Sequence, residues 1–353
     1  EKAAAIKGGA KWQKAEAMNG IGRIYSSKGD IRKSLEYYGL AAQLNPASSE
    51  ISTNYGFAMQ KAGNASGALS SFQNAVKAGP SDPYASAFLM QAQKEKTAVA
   101  DQARQGRIDA LVKDLAEGFK SGKMPAPPKD PWTSRPIAIS FLDFNKKGVP
   151  VREGEDEFFM LQISDMLQES GRVQIVEREM LDKLLAELKL SSTDLVNRDT
   201  AVRLGRILSA RIIATGSIIR YKGDMQASIR LTDTETTSLK GAIREKGKEI
   251  DELAKAVTDK IVEKVIKGYP IRAKILAIED NEVVLNIGTD TGITTGMEFK
   301  LLQEKKSERT GRIRYKPMGT ITVSKVEADT AYAPMPEGIN GIKEDMKLEQ
   351  LVN

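Results

Sequence analysis

Gly171 to Arg220 reads GRVQIVEREMLDKLLAELKLSSTDLVNRDTAVRLGRILSARIIATGSIIR, the longest dense pattern in the chain. Val173, Ile175 and Val176 form a short apolar strand that runs into Glu177-Arg178. Met180, Leu181, Leu184, Leu185 and Leu188 then recur at helical spacing. Ser191-Ser192-Thr193-Asp194 reads as a turn and helix cap. A second amphipathic helix carries Ala201, Leu204, Ile207 and Leu208. Ile212-Ile213-Ala214-Thr215-Gly216-Ser217-Ile218-Ile219 closes the stretch as a buried strand interrupted by a glycine.

Working outward, Ile137–Phe144 reads as an earlier strand, and Phe158, Phe159, Leu161, Ile163 and Leu167 as a helix behind it. After the central stretch a meander is expected over 212–221, 225–232 and 237–245, with turns at Lys222-Gly223-Asp224 and Asp233-Thr234-Glu235. Leu253, Ala256, Val257, Ile261 and Val265 mark a closing helix. This order of elements resembles the CsgG-like family, named after the curli secretion channel, which includes the TolB N-terminal domain. The residues that carry the resemblance are Val176-Glu177-Arg178, Leu181, Leu184, Thr200-Ala201 through Leu204-Gly205, Ala210 and Thr215-Gly216-Ser217. It implies a three-layer α/β domain over 135–269 in an exported, envelope-associated protein. Glu177, Arg178, Gly205, Thr215, Gly216 and Ser217 would be its structural or oligomer-contact motif. The curli channel builds a membrane barrel from two long hairpins. Here the turns are short, so no such pore is expected.

Upstream, residues 15–80 repeat. Gly22, Gly29, Ser34, Tyr38, Ala41 and Pro46 recur 34 positions later as Gly56, Gly63, Ala68, Phe72, Ala75 and Pro80. That is the tetratricopeptide period, and residues 1–123 are read as an α-solenoid of helix hairpins with a polar helix capping it. The first helix of each hairpin would line a concave face presenting Asn19, Arg23, Ser26, Ser27, Thr53, Phe57, Gln60, Lys61, Gln91 and Lys94. Two uses stay open for that face: a groove for a protein partner, or packing against neighbouring domains or subunits. Met124 to Ser134 is a stiff proline-rich linker, with Trp132 expected to dock on a domain beside it.

Residues 270–353 read as an all-β unit with a glycine-punctuated loop at Gly288, Gly292 and Gly296. The loop lacks the lysine and following helix of a phosphate cradle, so barrel corners are expected there. Val283-Val284-Leu285-Asn286-Ile287-Gly288, Gly292-Ile293 and Gly296-Met297-Glu298-Phe299 resemble the C-terminal domain of FlgT, a small SH3-like barrel.

Composition narrows the chemistry. The 353 residues contain no Cys and no His, which removes thiol and histidine nucleophiles and the usual zinc sets. The formal charge of +6 comes from residues 1–123, where 17 Lys and Arg face 11 Asp and Glu. No apolar run is long enough for a spanning helix. The acids Glu153, Glu155, Asp156 and Glu157 fit a helix N-terminus better than a metal site. Asp143 could line a sheet crevice, but no partner residue is visible for it, and basic residues do not interleave with aromatics as in nucleic-acid readers. No cofactor and no catalytic residue is expected.

The chain opens at Glu1 inside the tail of an earlier repeat, so more chain is expected upstream, and a signal segment or lipid anchor there is implied by the resemblance alone. The resemblance implies a periplasmic, outer-membrane-associated, homo-oligomeric assembly protein with protein partners, in a secretion or flagellar setting. A monomeric lipoprotein that activates a cell-wall synthase, and a small-ligand-binding envelope protein, stand beside it as alternatives.

Overall fold

A computed structural model describes residues 10–100, 102–122, 130–147, 152–176, 178–190, 198–221, 224–236, 238–309 and 311–352. The N-terminal region is helical: α1 (Lys11–Ser27), α2 (Ile31–Leu44), α3 (Ser49–Lys61), α4 (Ala65–Ala78), α5 (Pro83–Ala100) and α6 (Gln102–Ser121). The repeat period has a geometric cause. A Cβ on Gly22 would lie 2.6 Å from the Tyr38 ring, and one on Gly56 would lie 2.5 Å from the Phe72 ring. Each glycine therefore lets an aromatic of the second helix lie on the first within one hairpin. Gly29 (φ 77°) and Gly63 (φ 79°) end α1 and α3 in the left-handed region, where no side chain is at ease. Asp30 and Asn64 then cap the next helices through the amides of Lys33 and Gly67.

The central domain is a five-stranded sheet in the order β2-β1-β3-β4-β5. β1 (Ile137–Lys147) lies parallel to β2 (Val173–Ile175) and β3 (Ile212–Tyr221), while β4 (Asp224–Asp233) and β5 (Leu239–Gly247) continue antiparallel. α7 (Glu155–Glu169) and α10 (Ile250–Gly268) share a core with one face, through Phe159, Ile163, Leu253 and Val257 against Ala227, Ile229 and Leu231. α8 (Arg178–Leu188) and α9 (Arg198–Ile207) cover the other, with Leu181, Leu184 and Leu204 in one core with Ile213 of β3. Alternation along β4 places Met225, Ala227, Ile229 and Leu231 inward, as period 2 requires. α6, expected to cap the helical stack, instead buries Val112 and Ala116 in the α8–α9 layer.

The C-terminal unit is a seven-stranded sheet ordered β10-β11-β7-β6-β12-β8-β9. Its strands are β6 (Arg272–Glu279), β7 (Glu282–Leu285), β8 (Glu298–Lys306), β9 (Ile313–Thr322), β10 (Lys325–Val326), β11 (Ala331–Pro334) and β12 (Lys347–Gln350). They enclose one core around Ile275, Leu285, Phe299 and Leu348. The order ends on β10 and β9 with no pairing between them among the described residues, so the closed barrel expected from the sequence is not formed. The glycine loop is a corner: the amides of Thr289 and Asp290 are taken by the carbonyls of Glu327 and Ala328 (2.9 and 3.1 Å). None of the described helices is long and apolar enough to cross a membrane.

The three units share seams. Trp132 docks on the C-terminal unit: its indole N–H donates to the Ala273 carbonyl (2.9 Å), with Arg272 and Lys347 over the ring at 4.8 and 5.0 Å. Gly292 (φ 78°) lies so near Gly171 that a Cβ would stand 2.5 Å from the Gly171 carbonyl oxygen. Gly56→Val is expected to lower stability by about 2 kcal/mol, because the Phe72 ring cannot retreat inside a packed core. Gly106→Ala, mid-helix in α6 with no atom near the added methyl, is expected to raise it by about 0.5–1 kcal/mol. Urea-denaturation midpoints of the two variants should move in opposite directions.

Candidate interaction site

Of the two uses left open for the concave face, packing against a neighbouring domain is the one seen in the structure. The segment Arg152-Glu153-Gly154-Glu155, which leads into α7, enters the helical region at the first helices of the hairpins. Arg152 donates to Asp82 through Nη1 (2.9 Å) and Nη2 (2.6 Å), and through Nη2 to Thr53 Oγ1 (2.9 Å). Its guanidinium lies 4.4 Å over the Tyr84 ring. Glu153, 1% exposed, accepts from the Tyr38 hydroxyl (2.9 Å) and Lys61 Nζ (3.2 Å), and its amide donates to Asn54 Oδ1 (3.0 Å). Asn54 in turn donates to Asn19, and Asn19 to Glu50. Two charges are thus taken out of water together, with hydrogen bonds to most of their polar atoms, the condition under which burial of ions is tolerated.

Shape matches charge. Gly154 has φ 76°, and a Cβ there would stand 2.3 Å from Phe57. Only glycine lets the chain turn down against the aromatic floor of Phe57, Phe72 and Phe88. Phe57 and Phe88 meet edge to face at 4.3 Å, and Tyr84 stacks on Phe158 of α7 at 4.2 Å. The hydrophobic core therefore runs unbroken from the hairpins through α7 to the sheet. Glu155 turns back to Arg220 on β3 (2.8 Å).

Electrostatics favour the closed arrangement. Burial alone would raise the Asp82 carboxyl, but hydrogen bonds from Arg152 and Ser49 outweigh it and hold the group below its ordinary value of 3.8. Burial, and then the neighbouring Glu153 carboxylate, push the Tyr38 hydroxyl far up, so it stays a proton donor.

The sequence-derived residues are distributed as follows. Asn19, Thr53 and Phe57 are buried in this seam and Lys61 salt-bridges Glu153 across it. Arg152 bonds Thr53 and Gly154 lies against Phe57, while Asn19 joins the seam through Asn54. Arg23 pairs with Glu50, Gln60 and Gln91 bond Glu95, and Ser27 bonds its own helix. Ser26 is half-buried, and Lys94 is exposed near the end of the face. Gly205 lets α9 close onto β3, since a Cβ would meet Ile213 and Thr234 at 2.6 Å. Thr215, Gly216 and Ser217 sit mid-sheet on β3, paired with Arg230, Ile229 and Ser228, where Phe144 lies opposite Gly216 beside a β-bulge in β1. Glu177 and the side chains of Arg178 and Asp143 lie outside the described residues. Among the described residues no acidic group is arranged to hold a metal ion, and Glu153 and Glu155 point to separate cations.

Arg152 and the seam role of Glu153 escaped the sequence reading, though for Glu153 a signal existed. Tyr38 and Phe72 occupy equivalent positions, so the extra hydroxyl on a buried repeat position needed a distant acceptor. A second polar cluster surrounds Asp233. Its Oδ1 accepts the amides of Glu235 (2.9 Å) and Thr236 (2.7 Å), and its Oδ2 accepts from Tyr269 (2.6 Å) and Arg211 (3.1 Å). It ties the β4–β5 turn to the end of α10. It borders a cleft of about 820 Å³ between the domain and the linker, where Arg206 is held by the carbonyls of Thr234 and Glu235.

The family model of the curli production assembly/transport component CsgG matches residues 151–229, which begins at this segment and ends on β4. No curated protein matches the chain significantly. Solved structures similar to it include the LpoB C-terminal domain of Salmonella enterica, at 15% identity over 40% of this chain and 96% of that one (TM-score 0.27). Lipoprotein GNA1162 of Neisseria meningitidis follows at 14% identity over 36% and 97% (TM-score 0.28). TolB of Acinetobacter baumannii matches at 10% identity over 57% and 58% (TM-score 0.28).

Arg152→Ala strands the largely buried Asp82 carboxylate and should cost about 3 kcal/mol at neutral pH. Since folding lowers the Asp82 pKa, the pair's contribution is whole above the unfolded value of 3.8 and fades as pH falls through the lower folded one. The gap in urea midpoint between wild type and Arg152→Ala should therefore narrow from pH 6 to pH 2.5. An undiminished gap would show that the pair contributes through packing alone.

Proposed function

We propose that this chain is a non-enzymatic assembly protein of the bacterial envelope, periplasmic and associated with the outer membrane. Its CsgG-like domain self-associates into a ring or sheath, while the helical region, read as tetratricopeptide repeats, and the C-terminal β unit recruit protein partners. The observation that supports this reading is the packing of three folded units against one another around residues matched by the CsgG family model. At each seam polar groups are spent on one another: Arg152 on Asp82, Glu153 on Tyr38 and Lys61, Trp132 on the Ala273 carbonyl. Such a body transmits position between partners, which suits a scaffold. Contact with the membrane would come through a lipid anchor.

The decisive experiment is the native mass of the whole chain by light scattering. Removing the helices would uncover Phe158 and the Glu153 carboxylate, so a truncated form would report its own damage. A discrete integer multiple of the chain mass that persists on dilution is expected, with ring or sheath symmetry visible by electron microscopy. A monomer at every concentration would end the self-assembling version and leave the regulator of a cell-wall synthase as the reading to pursue.

A further inference from the structure

The outer halves of β8 and β9 form an arm. Residues 303–317, QEKKSERTGRIRYKP, hold Lys305, Lys306, Arg309, Arg312, Arg314 and Lys316 against only Glu304 and Glu308. The whole C-terminal unit from 271 to 353 has 12 basic residues against 13 acidic, so half of its cations are gathered in one hairpin. Register assigns the faces. Lys305 stands directly opposite Arg314, and Gln303 opposite Lys316, so Lys305, Arg314 and Lys316 share one face. Glu304 and Tyr315 lie on the other, where both bond Lys347 at 2.9 Å and the Tyr315 ring meets Trp132 at a tilt, 4.8 Å between centroids. The back of the arm is thereby fastened to the body, and the cationic face is turned to solvent.

Two features mark this face as more than a solvated surface. Like charges directly across a strand pair weaken it, yet Lys305 and Arg314 are so placed, and neither they nor Lys316 has an acidic partner among the described residues. Further, β9 ends the sheet order, so the outer backbone edge of Ile313–Lys316 has no strand beside it, and all four residues are exposed. Cations on an edge deter pairing between two copies of the same strand, because their charges would meet. The same cations match an acidic strand. A lipid or nucleic-acid surface could use the charges but not the row of backbone N–H and C=O groups; a peptide uses both.

We propose that the β8–β9 arm is a docking edge for an extended acidic segment of a protein partner, which adds alongside β9 with its carboxylates over Lys305, Arg314 and Lys316. This site is separate from the helical face and from the CsgG-like domain. The probe is a fluorescent octapeptide of alternating Glu and Val, titrated against the whole chain by anisotropy. Binding that weakens with salt is expected, and K305E/R314E should lower affinity by about tenfold or more. The neutral variant K305Q/R314Q should fall between, and circular dichroism and the thermal midpoint confirm that both fold. A peptide of the same charge with N-methylated backbone amides should lose most of its binding. Equal binding of the N-methylated peptide would overturn the edge, and unchanged affinity in both charge variants would overturn the face. Absence of peptide binding, or tighter binding to phosphatidylglycerol vesicles or duplex DNA than to the peptide, would overturn the proposal as a whole.

Discussion

Burial of Arg152 and Glu153 against the first helices of the hairpins is the constraint on which the rest of the architecture depends. Neither charge could leave water alone. Each is accommodated because the opposite face supplies what it lacks: Asp82 for the arginine, Lys61 and the Tyr38 hydroxyl for the glutamate. These bonds are directional, so they set the orientation of the hairpins on the central domain where the surrounding apolar contact would tolerate several. Gly154 then permits the chain to reach the aromatic floor, and Phe158 extends the shared core into the sheet. The seam joins specificity from polar groups to adhesion from aromatic ones.

A second consequence concerns recognition. A concave helical face is normally read as open to partners, but much of this one is already satisfied by an Arg-Glu-Gly segment of its own chain. A denser cluster of exposed cations lies elsewhere, at the edge strand β9 and its cationic face. That edge lies at the far end of the chain from the helical region, and the linker from Asp130 to Ser134 joins the C-terminal unit to the centre. Thr133 accepts from Asn286, Ser134 and Arg272 exchange hydrogen bonds at 2.8 Å, and Trp132 lies between two cations. These contacts seat the linker on the C-terminal unit.

Much of this was legible in the chain. The 34-residue period, the left-handed glycines, the asparagine and aspartate caps and the alternation along β4 all follow from steric and hydrogen-bonding rules that act over a few residues or one helical turn. The same holds for the glycine corners of the C-terminal unit. Sequence periodicity also identified the outward-looking side of the first helices, and Asn19, Thr53, Phe57 and Lys61 do stand together on it.

What covers that side was decided only in three dimensions. Arg152 and Glu153 are separated from Asp82 and Tyr38 by 70 and 115 positions, a span over which neither helical nor strand period carries information. The attachment of α6 to α8 and α9, the docking of Trp132 on β6 and the open ends of the β10–β9 sheet are of the same kind. The sequence by itself determined where elements begin, end and turn apolar, because those depend on neighbouring residues. Tertiary structure alone decided which faces meet, because that depends on shape and charge complementarity between surfaces that the chain brings together from far apart.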